Sequence, residues 1–281
     1  MTSKLDTELV ERVLDRLGLS SRPEVSLAGL ADLYGAWCRR VPFDNIRKLI
    51  HVRADNPAAL PGDAPNAFFE AWLAHGTGAT CWAGNGALCE LLTTLGFDAR
   101  RAAATMMVAP GIPPNHGSVV VHLGDERYVT DASILFVEPL PMHDGARVPH
   151  PAWGVDARFV DGAYTIRWNA LQRPDPLDCR FNLFDLRAAD FSRFHEATRT
   201  WSPFNFNLNL NLVRGNGRIG AGLGNRIVVD ANGKATGTPL AGEARKRFLV
   251  DEVGISEEVA DLLPEDVPMP PPPGSRTAAG T

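Results

Sequence analysis

The sequence predicts an α+β protein: a helical N-terminal third, a β-rich barrel or sandwich, and a shorter mixed segment. Three patterns carry that expectation. Leucine-rich stripes recur at helical spacing as far as Gly96. From Ala99 to about Arg167 they give way to short β-branched runs broken by Gly and Pro. Beyond Trp201, strictly alternating and helical stretches follow one another.

Leu9, Val10, Val13, Leu14 and Leu17 repeat helically and end at Gly18. Leu27, Leu30, Leu33, Tyr34 and Trp37 form a second stripe, and Ala67 to His75 a third. In the fourth helix Leu88, Leu91, Leu92 and Leu95 share one face, and Gly96 is a natural stop. Pro110 to Pro114 reads as a turn-rich loop. Gly117 to Leu123 and Arg127 to Asp131 read as a hairpin around Gly124-Asp125, a pair suited to a type II′ turn. Phe181 to Thr200 reads as helix, ended by Trp201 and Pro203. Phe204 to Leu212 alternates as a half-buried strand whose asparagines either face solvent or bind a ligand. Ile227 to Asp230 is a strand, and Ala241 to Val253 and Ser256 to Leu263 are helical. Pro268 to Pro273 opens a polar, Pro-rich tail over 268–281 that reads as disordered.

Bulk properties exclude several classes. With 281 residues, 44% hydrophobic and 22% charged, the chain has the composition of a soluble globular protein. A net charge of −5 provides no basic footprint for nucleic acid. No apolar run approaches the roughly 20 residues of a membrane span. The N-terminus reads as an acidic amphipathic helix rather than a signal peptide. Four cysteines without framework spacing fit a reducing cytoplasm. No Cys/His cluster has zinc spacing, so no metal is expected, and no Gly-rich nucleotide fingerprint precedes a helix.

The order Cys81, His116, Asp131 carries the chemistry. Cys81 starts the fourth helix, where free N–H groups and the helix dipole favour a thiolate. A thiol nucleophile needs a base, and the base needs a partner that fixes its tautomer. In the hairpin register Leu123 faces Glu126 and Ser118 faces Asp131, which leaves His116 one diagonal step from Asp131. A loop one residue longer would turn Asp131 to the opposite face. His122 shares the strand parity of His116. Six residues of strand span about 20 Å, so both cannot serve one sulfur, and His122 faces Arg127 beside the turn. Cys89 is a mid-helix core residue, and Cys38 and Cys179 lack any paired motif.

These residues resemble the arylamine N-acetyltransferases along nearly the whole chain. Arg40-Val41-Pro42-Phe43-Asp44-Asn45-Ile46 is similar to the family's Ile-Pro-Phe-Glu-Asn-Leu segment. Gly78-Ala79-Thr80-Cys81-Trp82 falls where the family has Arg-Gly-Gly-Tyr-Cys-Phe-Glu. Asn85-Gly86, Leu95-Gly96-Phe97, Asn115-His116, Asp131 and Ser202-Pro203-Phe204 follow in the family's order. The resemblance implies a helical bundle over 1–97 carrying the nucleophile, a β-barrel over 98–203 carrying His116 and Asp131, and an α/β lid over 204–267. It implies a papain-like triad of Cys81, His116 and Asp131, with Phe43, Trp82, Ser133 and Phe204 binding substrate. It implies no permanently bound cofactor. The cosubstrate would be an acyl-coenzyme A or an acyl-carrier-protein thioester, and the acceptor a small-molecule amine.

The chain departs from the family pattern at the expected pocket. Thr77 and Ala79 replace an Arg and a Gly, Ala83 replaces a Glu, and Ala132-Ser133-Ile134-Leu135 lacks both family glycines. These changes bear on donor and acceptor identity rather than on the triad, and they fit amide-synthase-like relatives. Two other functions use the same residues. One is a transglutaminase-like or hydrolytic cysteine enzyme; the other is a non-catalytic binding protein on the same fold.

Overall fold

The computed structural model describes residues 5–171, 173 and 175–270. The N-terminal third holds α1 (Thr7–Arg16), α2 (Leu27–Arg40), α3 (Ile46–Arg53), α4 (Pro65–His75) and α5 (Cys81–Thr94), with a short β1 (Phe43–Asp44) between α2 and α3. Asp6 caps α1 by accepting the Glu8 N–H at 2.7 Å, and Ser26 caps α2 by accepting the Gly29 N–H at 3.1 Å. α5 is buried on most of its circumference, as expected of a helix that is apolar nearly all round.

An eight-stranded antiparallel sheet follows: β2 (Asp98–Met106), β3 (His116–Leu123), β4 (Glu126–Thr130), β5 (Leu140–Pro141), β6 (Arg147–Val148), β7 (Val155–Val160), β8 (Ala163–Trp168) and β9 (Leu177–Leu186). Its order is β5-β4-β3-β2-β9-β8-β7-β6, and the short β5 and β6 at its two ends approach each other, so the barrel is nearly closed. α5 packs against β2 and β3, and one continuous core joins the bundle to the barrel.

α6 (Ala188–Trp201) leads to a 3-10 turn at Pro203–Asn205 and then to β10 (Leu210–Arg214), β11 (Gly217–Gly222), β12 (Asn225–Val229) and β13 (Ala235–Pro239). α7 (Gly242–Arg247), a π-helical turn at Phe248–Val253 and α8 (Glu257–Leu262) cover this second sheet around their own core. β1 pairs with β10, Phe43 opposite Asn211 and Asp44 opposite Leu210. A strand from the N-terminal third thus forms one edge of the C-terminal sheet.

Three sequence expectations need correction. Phe181 to Leu186 is strand, not helix: β9 lies between β2 and β8, and this pairing from distant parts of the chain overrides the local helical pattern. α3 carries no anticipated signal. Only the end of the Phe204–Leu212 alternation enters a strand, and its asparagines are not a solvated face. Asn205 closes α6 by donating to Thr198 O at 3.1 Å and Arg199 O at 2.8 Å. Asn207 donates to Val267 O at 3.1 Å, and both Asn205 and Asn211 are buried. These side chains satisfy backbone groups that no ladder reaches. Val267 returns an N–H to Phe206 O at 3.0 Å, so the chain crosses the lid before the Pro-rich tail. Residues 271–281 of that tail lie outside the described residues. Among the described residues no helix is long and apolar enough to cross a membrane, and no cluster of metal-ligating side chains is present.

Candidate active site

Cys81 is the first residue of α5, and the loop before it is clamped by β1. Asp44 Oδ2 accepts the Gly78 N–H at 2.6 Å, and the Asp44 N–H donates to Ala79 O at 3.3 Å. A Cβ at Gly78 would lie 1.7 Å from Pro42 O, so only glycine permits this approach. Burial pushes the Asp44 carboxyl up to about 6, against the pull of its N–H bonds from Ile46 and Gly78. Thr80 occupies the N-cap without a side-chain bond, so no cap competes for the first-turn N–H groups.

The hairpin takes the expected register. Leu123 faces Glu126, His122 faces Arg127, and Gly124 has φ 61° at the first turn position. His116 opens β3. Asn115 fixes the approach by accepting the Met106 N–H at 2.7 Å and donating to Ala109 O at 2.9 Å. Asp131 follows β4 directly. His116 Nε2 and Asp131 Oδ2 are 2.8 Å apart, both side chains almost completely buried. The Cys81 thiol is near enough to the imidazole to favour its protonated form.

A second layer orients the carboxylate. Asp131 Oδ1 accepts the Ser133 hydroxyl at 2.6 Å, the Ser133 N–H at 2.9 Å and the Ile134 N–H at 3.0 Å. Asn85, one turn along α5 from Cys81, donates to Gly117 O at 2.7 Å and accepts the Ala132 N–H at 2.9 Å. It thereby ties the nucleophile helix to β3 and to the segment that follows β4. The Tyr34 hydroxyl donates to Asp131 O at 3.0 Å and accepts the Asp131 N–H at 3.1 Å. Sequence reading assigned no role to Tyr34 or Asn85. The Asn85-Gly86 pair in the middle of an apolar helix was the available signal, because a buried amide requires partners.

Electrostatics follow from this geometry. Burial opposes charge on His116, but the Asp131 carboxylate and the neighbouring sulfur outweigh it and raise the imidazole to about 10. Burial likewise opposes charge on Asp131, yet His116 and the bonds from Ser133 and Ile134 draw it down to about 2. The two groups form a buried ion pair.

Cys81, His116 and Ser133 open on a cavity of about 300 Å³. Its walls come from the bundle (Phe43), the barrel (Met106, Ile112, Trp168) and the lid (Phe204, Asn209, Leu223), and most of them are apolar. Phe43 and Phe204 meet edge to face at 5.3 Å. Trp82 lines the cavity but is nearly fully buried, stacked on Phe194 and edge-on to Phe191. Ser133 lines it with its hydroxyl committed to Asp131. Of the departures noted above, Thr77, Ala79, Ala83 and Leu135 lie outside the cavity wall. Ala83 packs instead beside Gly62, and Leu135 is buried at φ 60°, the left-handed region in which glycine is unstrained.

Residues 26–202 match the profile of the N-acetyltransferase family. The chain belongs to that family. This N-acetyltransferase match ends just after α6, so β10 to β13 and the helices over them lie beyond it. An arylamine N-acetyltransferase of Mycolicibacterium smegmatis is 29% identical over 125 residues, covering 42% of this chain and 43% of that relative. The arylamine N-acetyltransferase structure from M. tuberculosis superposes with a TM-score of 0.75 at 21% identity, covering 96% of this chain and 97% of the other. That of Mycobacterium marinum in complex with CoA gives 0.76 at 19% identity, covering 90% and 94%. The fold, three regions and barrel included, is that of arylamine N-acetyltransferases.

Proposed function

We propose that the protein is an N-acyltransferase that moves an acyl group from a thioester to an amine through an acyl-enzyme on Cys81. His116, held as an imidazolium by Asp131, carries the proton given up by the Cys81 thiol, and in the first half-reaction the thiolate attacks the thioester carbonyl. The carbon–sulfur bond of the donor breaks, and the donor leaves as a thiol carrying that proton. In the second half-reaction the amine nitrogen attacks the acyl carbon and passes a proton to His116. The Cys81–acyl bond breaks and the sulfur keeps the electron pair. First-turn N–H groups of α5 are the candidate oxyanion donors. Phe43 and Phe204 would hold the substrate body. Trp82 and Ser133 would act mainly by shaping the wall and supporting Asp131. The observation that carries this reading is the convergence of Cys81, His116 and Asp131 at one apolar cavity, in a chain of an N-acetyltransferase family.

The donor would be an acyl-coenzyme A, in keeping with the CoA complex of the M. marinum relative, or an acyl-carrier-protein thioester. The acceptor would be a small-molecule amine. Intact-protein mass spectrometry after incubation with a thioester panel tests the reading. Addition of one acyl mass to Cys81, discharged by amine, is the expected result. Discharge at the same rate by water alone would assign a hydrolase. No adduct with any thioester would leave a binding protein.

A further inference from the structure

Lys48 is a buried amine that the triad does not use. It lies on α3, 4% exposed, and its Nζ donates to the Thr198 hydroxyl at 2.8 Å and more weakly to Thr198 O at 3.4 Å. Thr198 lines the catalytic cavity. On its other side Lys48 borders a void of about 10 Å³ together with Asp44, Arg47, Thr80 and His195. Thr80, the residue before the nucleophile, faces both spaces. The ammonium therefore stands one side chain behind the wall that carries Cys81.

The groups around Lys48 leave its charge unanswered. No carboxylate forms an ion pair with it among the described residues. From α6, Glu196 favours its charge and Arg199 opposes it, but these two pair with each other at 2.5 Å, and Glu196 also accepts the Leu60 N–H. Asp44 is occupied by the N–H groups of Ile46 and Gly78, and Arg47 beside it is itself a cation. His195 is held neutral by burial and by Lys48, which push it down to about 4. Burial, with a smaller push from Arg199, pulls the Lys48 ammonium down to about 7 against the opposing influence of Cys81 and Glu196. A buried ammonium is costly unless an anion offsets it. Cys81 is the nearby group that can supply one.

We propose that Lys48 is a positioning residue for the nucleophile, a second cation behind the cavity wall that stabilises the Cys81 thiolate. The charge serves both half-reactions. It favours the attacking thiolate in the first, and in the second it favours sulfur as the group that keeps the electron pair when the amine displaces it. The inference rests on Cys81 being the nucleophile, as proposed above.

Two measurements test it. In the first, the rate of Cys81 alkylation by iodoacetamide is followed against pH by peptide mapping. Lys48→Met should move the midpoint of that profile upward by about one unit, the scale of a neighbouring charge, while Lys48→Arg should restore part of the shift. Thr198→Val, which removes only the hydroxyl contact, should move it less than Lys48→Met. The second needs no Lys48 variant. The chain's lysines are Lys4, Lys48, Lys234 and Lys246, so the Lys48 ε-carbon resonance can be assigned and titrated. Replacing the thiol by Cys81→Ser should lower the Lys48 midpoint by the same amount, because the coupling is reciprocal. An unmoved Lys48 titration, or an unmoved alkylation profile in folded Lys48→Met, overturns the proposal while Cys81 stays the preferred site of alkylation. Preferential labelling of another cysteine in the wild type would instead remove the nucleophile assignment itself.

Discussion

Cys38, Cys89 and Cys179 are thiols that burial has silenced. Burial pushes Cys38 up to about 12 and Cys89 up to about 11, and drives Cys179 well above the ordinary range. Cys81 borders the cavity. Low-pH alkylation followed by peptide mapping should therefore label Cys81 first. The two histidines of β3 separate just as cleanly. His116→Ala should slow acylation of Cys81 by at least about 10²-fold, the usual share of a positioned base, whereas His122→Ala, at the far end of the strand, should leave it nearly unchanged. The reverse pattern would mean that the base is not His116. The ion pair also sets a pH dependence of stability. His116 is raised in the folded state, so its contribution is complete below about 6.5, the unfolded value, and is lost as pH rises through about 10. Asp131 is depressed, so its contribution is complete above about 3.9, the unfolded value, and is lost as pH falls through about 2. Denaturant titrations should show the stability difference between wild type and His116→Gln shrinking as pH rises from about 6.5 toward 10. A constant difference over that range would mean a neutral imidazole in the folded protein.

Among the elements, β1 and the α5 N-terminus act as one unit. The two residues of β1 bridge the loop before Cys81 on one side and pair with β10 on the other. Asn45 adds bonds to Phe204 O at 2.9 Å, to Asn207 O at 2.7 Å and from the Asn209 N–H at 2.8 Å. Gly78→Ala would drive a methyl group into Pro42 O and displace that loop. The expected cost is about 1–3 kcal/mol of stability, as for other overpacked sites, with a larger loss of acylation rate because the nucleophile moves with the loop. Thermal melts and single-turnover acylation, measured together, check this. Equal and small effects on both would mean that the loop position does not set reactivity.

For the whole molecule, the cavity exists only because bundle, barrel and lid meet, and its size bears on substrate range. At about 300 Å³ it stands at the lower end of the range for drug-sized ligands, more room than an acetyl group needs. By the resemblance noted above Ser133 and Leu135 stand where the family has bare glycines, and of these two Ser133 reaches the wall. We expect poor turnover of small arylamines with acetyl-coenzyme A and better turnover of a bulkier or carrier-bound acyl donor or a specialised amine. Steady-state kinetics on simple arylamines decide this. A kcat/KM of about 10⁴ M⁻¹s⁻¹ or above would return the protein to the ordinary role of its family.

The sequence by itself determined the periodic helices, the β3–β4 register and the order Cys81, His116, Asp131. Each of these follows from local rules: a helical stripe with its stop, a two-residue turn that aligns the strands, and a thiol at a helix start. Tertiary structure alone decided the rest. β9 is a strand because two neighbours pair with it, although Phe181 onward reads as helix. The lid asparagines turn inward because unpaired carbonyl and N–H groups of distant segments need partners there. Tyr34 lies 97 residues from Asp131 in the chain, and no local pattern could announce that its hydroxyl holds the Asp131 backbone. Lys48 reads as an unremarkable lysine. Only the packing of α3 against α6 buries its ammonium behind the wall that carries the nucleophile, because contacts between distant segments are fixed by the three-dimensional fold and not by spacing along the chain.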